Sequence, residues 1–364
     1  MGWNWGLIRL RTVHQSMLNK FSPLVSIITP TYNHEKFIGP CIESAIGQTY
    51  ENLEQIIIDD GSTDQTAEVI RAYADPRIRY VHQENRGIEA LPHTYNRALA
   101  MCKGELVAIL EGDDAWPPEK LSSLVTPFED ENVVLAYGAV ADIASDGSWK
   151  GRLGRSVRKR MRLPKEILLN DPLGSATRYM LRADGVDLVP PSTVVIRRTA
   201  LDSIGGFQYV PNLCVTDFPT CVTLSLVGKF YYTPKVMGYR RRHLGSATFN
   251  SLKRILTEAH LYVRRFPEKH SFRLNSAERD AIEKTWNCSG PRLEFTAGRL
   301  ELANGQWKAA RAHFARALNP YAPRIFVAST VGWSLSWLRC DLEGLFALAG
   351  VARLEETKQK NFNF

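Results

Sequence analysis

The sequence predicts a mixed α/β fold, a mainly parallel sheet covered by helices on both faces, followed by an α-helical region. Three observations predict it. Between residues 24 and 141, short β-branched runs alternate with segments of helical apolar spacing, the pattern of strand-helix-strand units. The runs are continuously apolar, as strands buried on both faces require. Beyond about residue 250 the strand-like runs stop and helical spacing takes over. With 364 residues, 44% hydrophobic and 23% charged, the chain can bury a large core and is too apolar for a disordered protein.

Taken in order, strands are expected at 24–29, 53–58, 78–82, 106–110 and 133–140, with helices at 35–48, 64–74, 90–103 and 118–130 between them. Residues 142–190 form a basic excursion containing Gly and Pro, and a strand-like run, PSTVVIRR at 191–198, leads to IGGF. The segment 295–320 reads as two antiparallel helices around Asn304-Gly305, similar to one tetratricopeptide-type hairpin. The apolar tail at 325–350 reads most simply as a buried helix pair, with interfacial membrane contact the other reading. This divides the chain into a basic extension (1–23), an α/β domain (24–250) and a helical region (251–364).

The net charge of +8 is local. Residues 151–165 hold seven Lys or Arg and no acid, residues 1–23 hold three more and no acid, and the remainder is nearly neutral. That distribution argues against a nucleic-acid partner, since no basic surface runs along the body. Peripheral contact with an anionic membrane is compatible with 151–165 and with Trp3 and Trp5 beside Arg9 and Arg11. The longest charge-free apolar stretch, 325–338, is fourteen residues, short of a membrane-spanning helix, and no secretory pattern opens the sequence. A cytoplasmic location is expected, with peripheral contact on the inner membrane face open to these segments. The six cysteines show no CxxC or zinc-ligand spacing and are expected to be reduced.

In parallel α/β sheets ligands bind beyond the carboxyl ends of the strands. There the sequence places PTYN after the first strand, DDGSTD after the second and EGDDAW after the fourth. Glu111, Asp113 and Asp114 supply carboxylates suited to Mg²⁺ or Mn²⁺, which keep positions for phosphate oxygens and water. Capping of a helix beginning at Pro117-Pro118 is the other reading of these acids.

The strings VSIITPTYN (25–33), ESAIGQTYENLEQIIIDDGSTDQT (43–66), ENRG (84–87), KGELVAILEGDDAWPPEKL (103–121) and IRRTALDSIGGF (196–207) occur in the order found in glycosyltransferase family 2. Over roughly residues 24–248 the chain resembles the GT-A nucleotide-sugar transferases of that family. The resemblance implies a metal-dependent inverting transfer of a sugar from a nucleotide-diphosphate donor, UDP-sugar favoured, to a hydroxyl of a glycan or lipid-linked acceptor in cell-surface polysaccharide assembly. It implies that Pro30, Thr31 and Tyr32 cradle the nucleotide, that Asp60 accepts from the base, and that Asn85, Asn96 and Arg97 line the sugar-phosphate pocket. Asp113 is implied at the ribose or metal, Asp114 and His243 at the metal, and Asp217, ten residues after IGGF, as the general base. Arg241, Arg242 and Ser246 are further candidates for the diphosphate. Three positions depart from the family pattern: Glu111 where Asp is common, Tyr95 where Arg is common, and Thr216 where Glu is usual. With Tyr95 in that place, Arg86 or Arg97 is expected to reach the donor phosphates instead. Two rival readings are a catalytically inactive GT-A module serving as a scaffold and a sugar nucleotidyltransferase; the latter calls for a Gly-rich basic loop that PTYNHEKF does not supply.

Overall fold

The computed structural model describes residues 21–339 except 149–159, 161, 186, 212, 214, 244–246 and 304. The N-terminal extension up to residue 20, most of the 151–165 cluster, Ser246 and everything from 340 onward lie outside the described residues.

Seven strands form one sheet: β1 Val25–Thr31, β2 Leu53–Asp59, β3 Ile78–His82, β4 Leu106–Ile109, β5 Val133–Ile143, β6 Val195–Arg197 and β7 Lys229–Arg241. Their order is β3-β2-β1-β4-β6-β5-β7. All run parallel except β6, which pairs antiparallel with both β4 and β5. Helices α1 (Ile38–Ile46), α2 (Thr66–Arg71), α3 (Leu91–Met101) and α4 (Lys120–Val125) connect the first five strands. Ile38, Ile42, Ile70, Leu121 and Leu124 cover one face of the sheet. Tyr95, Ala98 and Leu99 cover the other.

The expected strands all form, and β7 is added at the edge beyond β5. KFYYTPKVMGYRR hides as a strand because Pro234 cannot donate to a ladder and the apolar pattern breaks around it. The fold accommodates this with a bulge: the register with β5 jumps from Gly138↔Thr233 to Ala139↔Val236, so Pro234 falls in the unpaired stretch. Strand β7 then carries residues 241–243 to the same rim as the ends of β1 and β4. An isolated bridge between Ala115 and Tyr239 fixes the loop after β4 to it.

Between β5 and β7 lie the short helices α5 (Lys165–Leu169), α6 (Ser175–Met180), α7 (Arg198–Ser203) and α8 (Asp217–Leu224). Four helices follow: α9 (Ala247–Lys269), α10 (Ser276–Ala303), α11 (Trp307–Ala317) and α12 (Pro323–Leu338). The division expected at 250/251 falls inside α9. Tyr262 and Phe266 of α9 and Trp286 of α10 share one core with Phe218 and Cys221 of α8.

Helices α10 and α11 form the expected hairpin, turning at Gly305 with φ +72°. Its core is completed by α12, where Phe314 lies in a slot between Gly298 and Gly332; a Cβ on Gly332 would meet the ring at 2.4 Å. That close approach sets which side of α12 is buried; the second helix of the expected buried pair, at 340–350, lies outside the described residues. Only small side chains clear Phe314, so α12 buries Ala328, Ser329, Gly332 and Ser336 with Leu335, and turns Val327, Trp337 and Leu338 to solvent.

Candidate active site

The rim site begins with backbone. Strand β1 ends in Pro30 and Thr31, whose carbonyls accept from Gly112 N and Asp60 N, tying the loops after β4 and β2 to the first strand. Gly112 is needed there: a Cβ would stand 2.6 Å from Thr31 Oγ1 and 2.9 Å from His34 Nδ1. Asn33, at φ 54°, turns the chain and is held by Ser62 and Thr63. The turn delivers His34 beneath the acidic loop, where Thr31 Oγ1 lies 3.2 Å from its Nδ1.

The two acids after Gly112 point opposite ways. Asp113 meets His243 Nε2 at 2.9 Å through Oδ2. His34, Asp113 and His243 offer ligand atoms all within 4.8 Å of one another, a set of two imidazoles and a carboxylate. Burial would raise the Asp113 pKa, but the His243 hydrogen bond and the nearby His34 hold it below the ordinary value. Burial lowers that of His34, keeping the imidazole neutral, the form that ligates metals.

Asp114, by contrast, is 4% exposed and serves as a strut. Its Oδ1 accepts from Arg241 N at 2.9 Å and its Oδ2 accepts from the Ser192 hydroxyl. The Ser192 carbonyl in turn accepts from Trp116 Nε1 (2.7 Å) and from the fully buried Lys120 (3.1 Å). Asp114 therefore locks β7 and the 191–193 turn to the acidic loop and is not part of the three-residue cluster. Burial, then Asp113 and Glu111, push its carboxyl well above the usual range.

Glu111 and Tyr95, both departures from the family pattern, contact each other: Tyr95 Oη donates to Glu111 Oε1 at 3.3 Å. Tyr95 is buried and packs on Phe207, ring centroids 4.9 Å apart. Glu111 Oε2 is buried without a hydrogen-bond partner among the described residues. Burial pushes the Glu111 carboxyl up to about 7, helped by the charges of Asp113 and Asp217.

Asp217 opens α8 and is partly exposed, with Thr216 preceding it at the N-cap position; no side-chain cap hydrogen bond forms there. Burial, with a contribution from Asp187, raises Asp217 to about 6. Thr216 is 2% exposed and its hydroxyl has no partner among the described residues.

The remaining predicted residues take separate positions around this centre. Tyr32 is 44% exposed at the mouth of the rim. Asp60 and Arg97 are joined through Gln83, which donates to Asp60 Oδ1 at 2.6 Å while its Oε1 accepts from Arg97 at 2.7 Å. Asn85 accepts from Gly87 N at 2.7 Å, and its backbone packs on Gly61, where a Cβ would meet Asn85 N at 2.7 Å. Asn96 is spent elsewhere. Its amide donates to Phe207 O and accepts from Phe207 N, both at 2.8 Å, clamping the IGGF loop whose Gly205 and Gly206 have positive φ. Arg241 stacks over Phe37 at 5.2 Å and donates to Asp113 O, while Arg240 and Arg242 both donate to Asp142 Oδ1. Sequence reasoning missed His34 and Gln83; the signal for His34 was its place three residues past Thr31, on the same rim as the acids.

A mostly parallel seven-stranded sheet covered by helices and followed by a helical region is the GT-A glycosyltransferase architecture. The sequence profile described as Glycosyl transferase family 2 matches residues 26–205. The chain is 30% identical over 242 residues to the UDP-Glc:alpha-D-GlcNAc-diphosphoundecaprenol beta-1,3-glucosyltransferase WfaP of Escherichia coli, covering 65% of this chain and 85% of that protein. The chain belongs to glycosyltransferase family 2. Glycosyltransferase GlyG of Streptococcus pneumoniae is 34% identical over 119 residues, 32% of this chain and 39% of GlyG. The chain spans 20% of the chondroitin synthase of Escherichia coli, which is 36% identical over 137 residues, 37% of this chain. Among solved structures, the mannosyltransferase PcManGT from Pyrobaculum calidifontis in complex with GDP-Man and Mn²⁺ superposes with a TM-score of 0.51 at 17% identity, covering 90% of this chain and 94% of that one. Among the described residues no helix is long and apolar enough to cross a membrane.

Proposed function

We propose that this protein transfers a sugar, with inversion, from a nucleotide-diphosphate donor to a hydroxyl of a lipid-linked glycan in cell-surface polysaccharide synthesis. The observation that carries the reading is the convergence of His34, Asp113 and His243 at the strand ends, with Glu111 and Asp217 within electrostatic reach. A UDP-sugar is the favoured donor, since Asp60 offers a carboxylate to a pyrimidine N–H and the relative WfaP uses UDP-Glc by its name. WfaP likewise names a diphospholipid-linked acceptor, which supports the acceptor class and a peripheral membrane setting.

His34, Asp113 and His243 would hold the divalent cation, and two imidazoles beside one carboxylate fit Mn²⁺ better than Mg²⁺. The cation, when bound, offsets charge growing on the departing diphosphate. Tyr32 and Asp60 hold the nucleoside. Asp217, a base with its pKa near 6, takes the proton of the acceptor hydroxyl as that oxygen attacks the anomeric carbon. The carbon-oxygen bond to the diphosphate breaks, and the nucleoside diphosphate leaves. Asn96 acts at one remove, by holding the IGGF loop that leads toward α8.

A thermal-shift screen of nucleotide sugars with and without Mn²⁺ tests the reading. A UDP-sugar is expected to raise the melting temperature only with metal present; no stabilisation by any nucleotide sugar would overturn it.

A further inference from the structure

Helix α12 is built inside out. Its buried side is the small one, and its solvent side carries two parallel rows at helical spacing: Phe326, Thr330, Trp333, Trp337 and Val327, Val331, Ser334, Leu338. All eight are exposed, Trp337 by 61% and Leu338 by 70%, and none is charged. Tyr321, 66% exposed at the turn before the helix, stands beside Asp280, Glu283 and Lys284 of α10 and is not counted in this face. A contiguous apolar face of this kind marks an interaction site.

Its surroundings name the partner. From 302 to 340 the chain has no Asp or Glu and five cations, Lys308, Arg311, Arg316, Arg324 and Arg339. Arg316 is engaged with Glu294 at 2.9 Å, and Arg311 lies over the Trp337 ring at 4.1 Å while donating to Ser336 O at 3.2 Å. Arg324 and Arg339, at the two ends of the helix, are exposed, as is Lys308 on α11. Two tryptophans on an apolar face flanked at its ends by Arg324 and Arg339 match the headgroup region of a bilayer, where the rings lie at the acyl boundary and the cations meet lipid phosphates. A second copy of the same face would set like charges against each other.

We infer that the outward face of α12 seats the protein on an anionic lipid bilayer. This deepens the peripheral-membrane reading above, yet rests on surface chemistry that does not depend on sugar transfer. The test is flotation of the full chain with phosphatidylcholine vesicles, with and without phosphatidylglycerol, comparing the parent protein with Trp333→Ser/Trp337→Ser. The parent should float with the anionic vesicles and much less with phosphatidylcholine alone. The double variant should lose at least about tenfold in partitioning, equivalent to about 1.4 kcal/mol. Its melting temperature and its UDP-sugar hydrolysis should be unchanged, which separates this proposal from folding and from the proposed activity. An Arg324→Glu/Arg339→Glu variant should lose the preference for anionic vesicles. Equal flotation of parent and Trp variant, no flotation of the parent, or flotation only after deletion of residues 340–364 would each overturn the inference. So would a parent dimer that the Trp variant dissolves without any lipid effect.

Discussion

Replacing Glu111 by Gln should stabilise the metal-free protein at alkaline pH. Glu111 lies against the Tyr95 hydroxyl with one oxygen buried and without a hydrogen-bond partner among the described residues, and Asp113 and Asp217 add like charge. Moving its pKa from the ordinary 4.5 to about 7 corresponds to about 3 kcal/mol held against the folded state once the group is ionised. Solvent reaching the partly exposed residue screens this to about 1 to 2 kcal/mol. The sign follows from proton binding: the folded state holds the Glu111 proton more tightly than the unfolded state, so stability is intact below about pH 4.5. It falls as pH rises toward 7 and stays reduced above it. Gln cannot ionise and escapes the loss. Urea denaturation of both proteins without metal should therefore give nearly equal stabilities at pH 4.5 and a lead of about 1 to 2 kcal/mol for Glu111→Gln at pH 8. A difference that does not change with pH would show that the Glu111 carboxyl is not ionising under strain and would overturn this assignment.

Asp217→Asn should keep UDP affinity and lose about 10²- to 10⁴-fold in transfer rate, and the parent's kcat/KM should rise with pH through about 6 as the base loses its proton; a rate-pH profile and UDP titration of both proteins check this. His34→Ala should weaken Mn²⁺ binding with little change in melting temperature. Asp114→Ala should do the reverse, leaving Ser192 and the Arg241 amide without their acceptor at a cost of about 1 to 3 kcal/mol; Mn²⁺ titration and denaturation of both variants separate the roles. Asn96→Ala should destabilise the protein by a similar amount, because it removes the clamp on Phe207; equal urea midpoints for variant and parent would count against it.

Much of the fold was legible because burial on both faces leaves short apolar, β-branched runs without polar alternation, such as the isoleucines at 56–58 and LVAI, between helical segments. Strand β7 was not, since Pro234 and its bulge break the pattern. The outward face of α12 was also hidden, because hydrophobicity along a helix does not say which side a neighbour takes, and here the Phe314 ring chose the small residues. Within the site, Asp113 and Asp114 looked equivalent as adjacent acids. The turn sends one to the rim and the other into the Ser192 and Arg241 network, a distinction that depends on β7. The Asn96 clamp joins segments 111 residues apart and carries no local signal. The pairing of Glu111 with Tyr95 was likewise invisible in sequence, although each departure from the family pattern was noticeable alone.

The proposed activity is inverting sugar transfer at the rim formed by β1, β4 and β7. The most direct measurement is the product: incubate the protein with Mn²⁺, a panel of α-linked UDP-sugars and a sugar-diphosphopolyprenol acceptor, then determine the anomeric configuration of the linkage by NMR. One donor should release UDP and yield a single β-linked product, and Asp217→Asn should yield almost none. An α-linked product would contradict inversion, and full activity of the Asp217→Asn variant would contradict the assignment of the base.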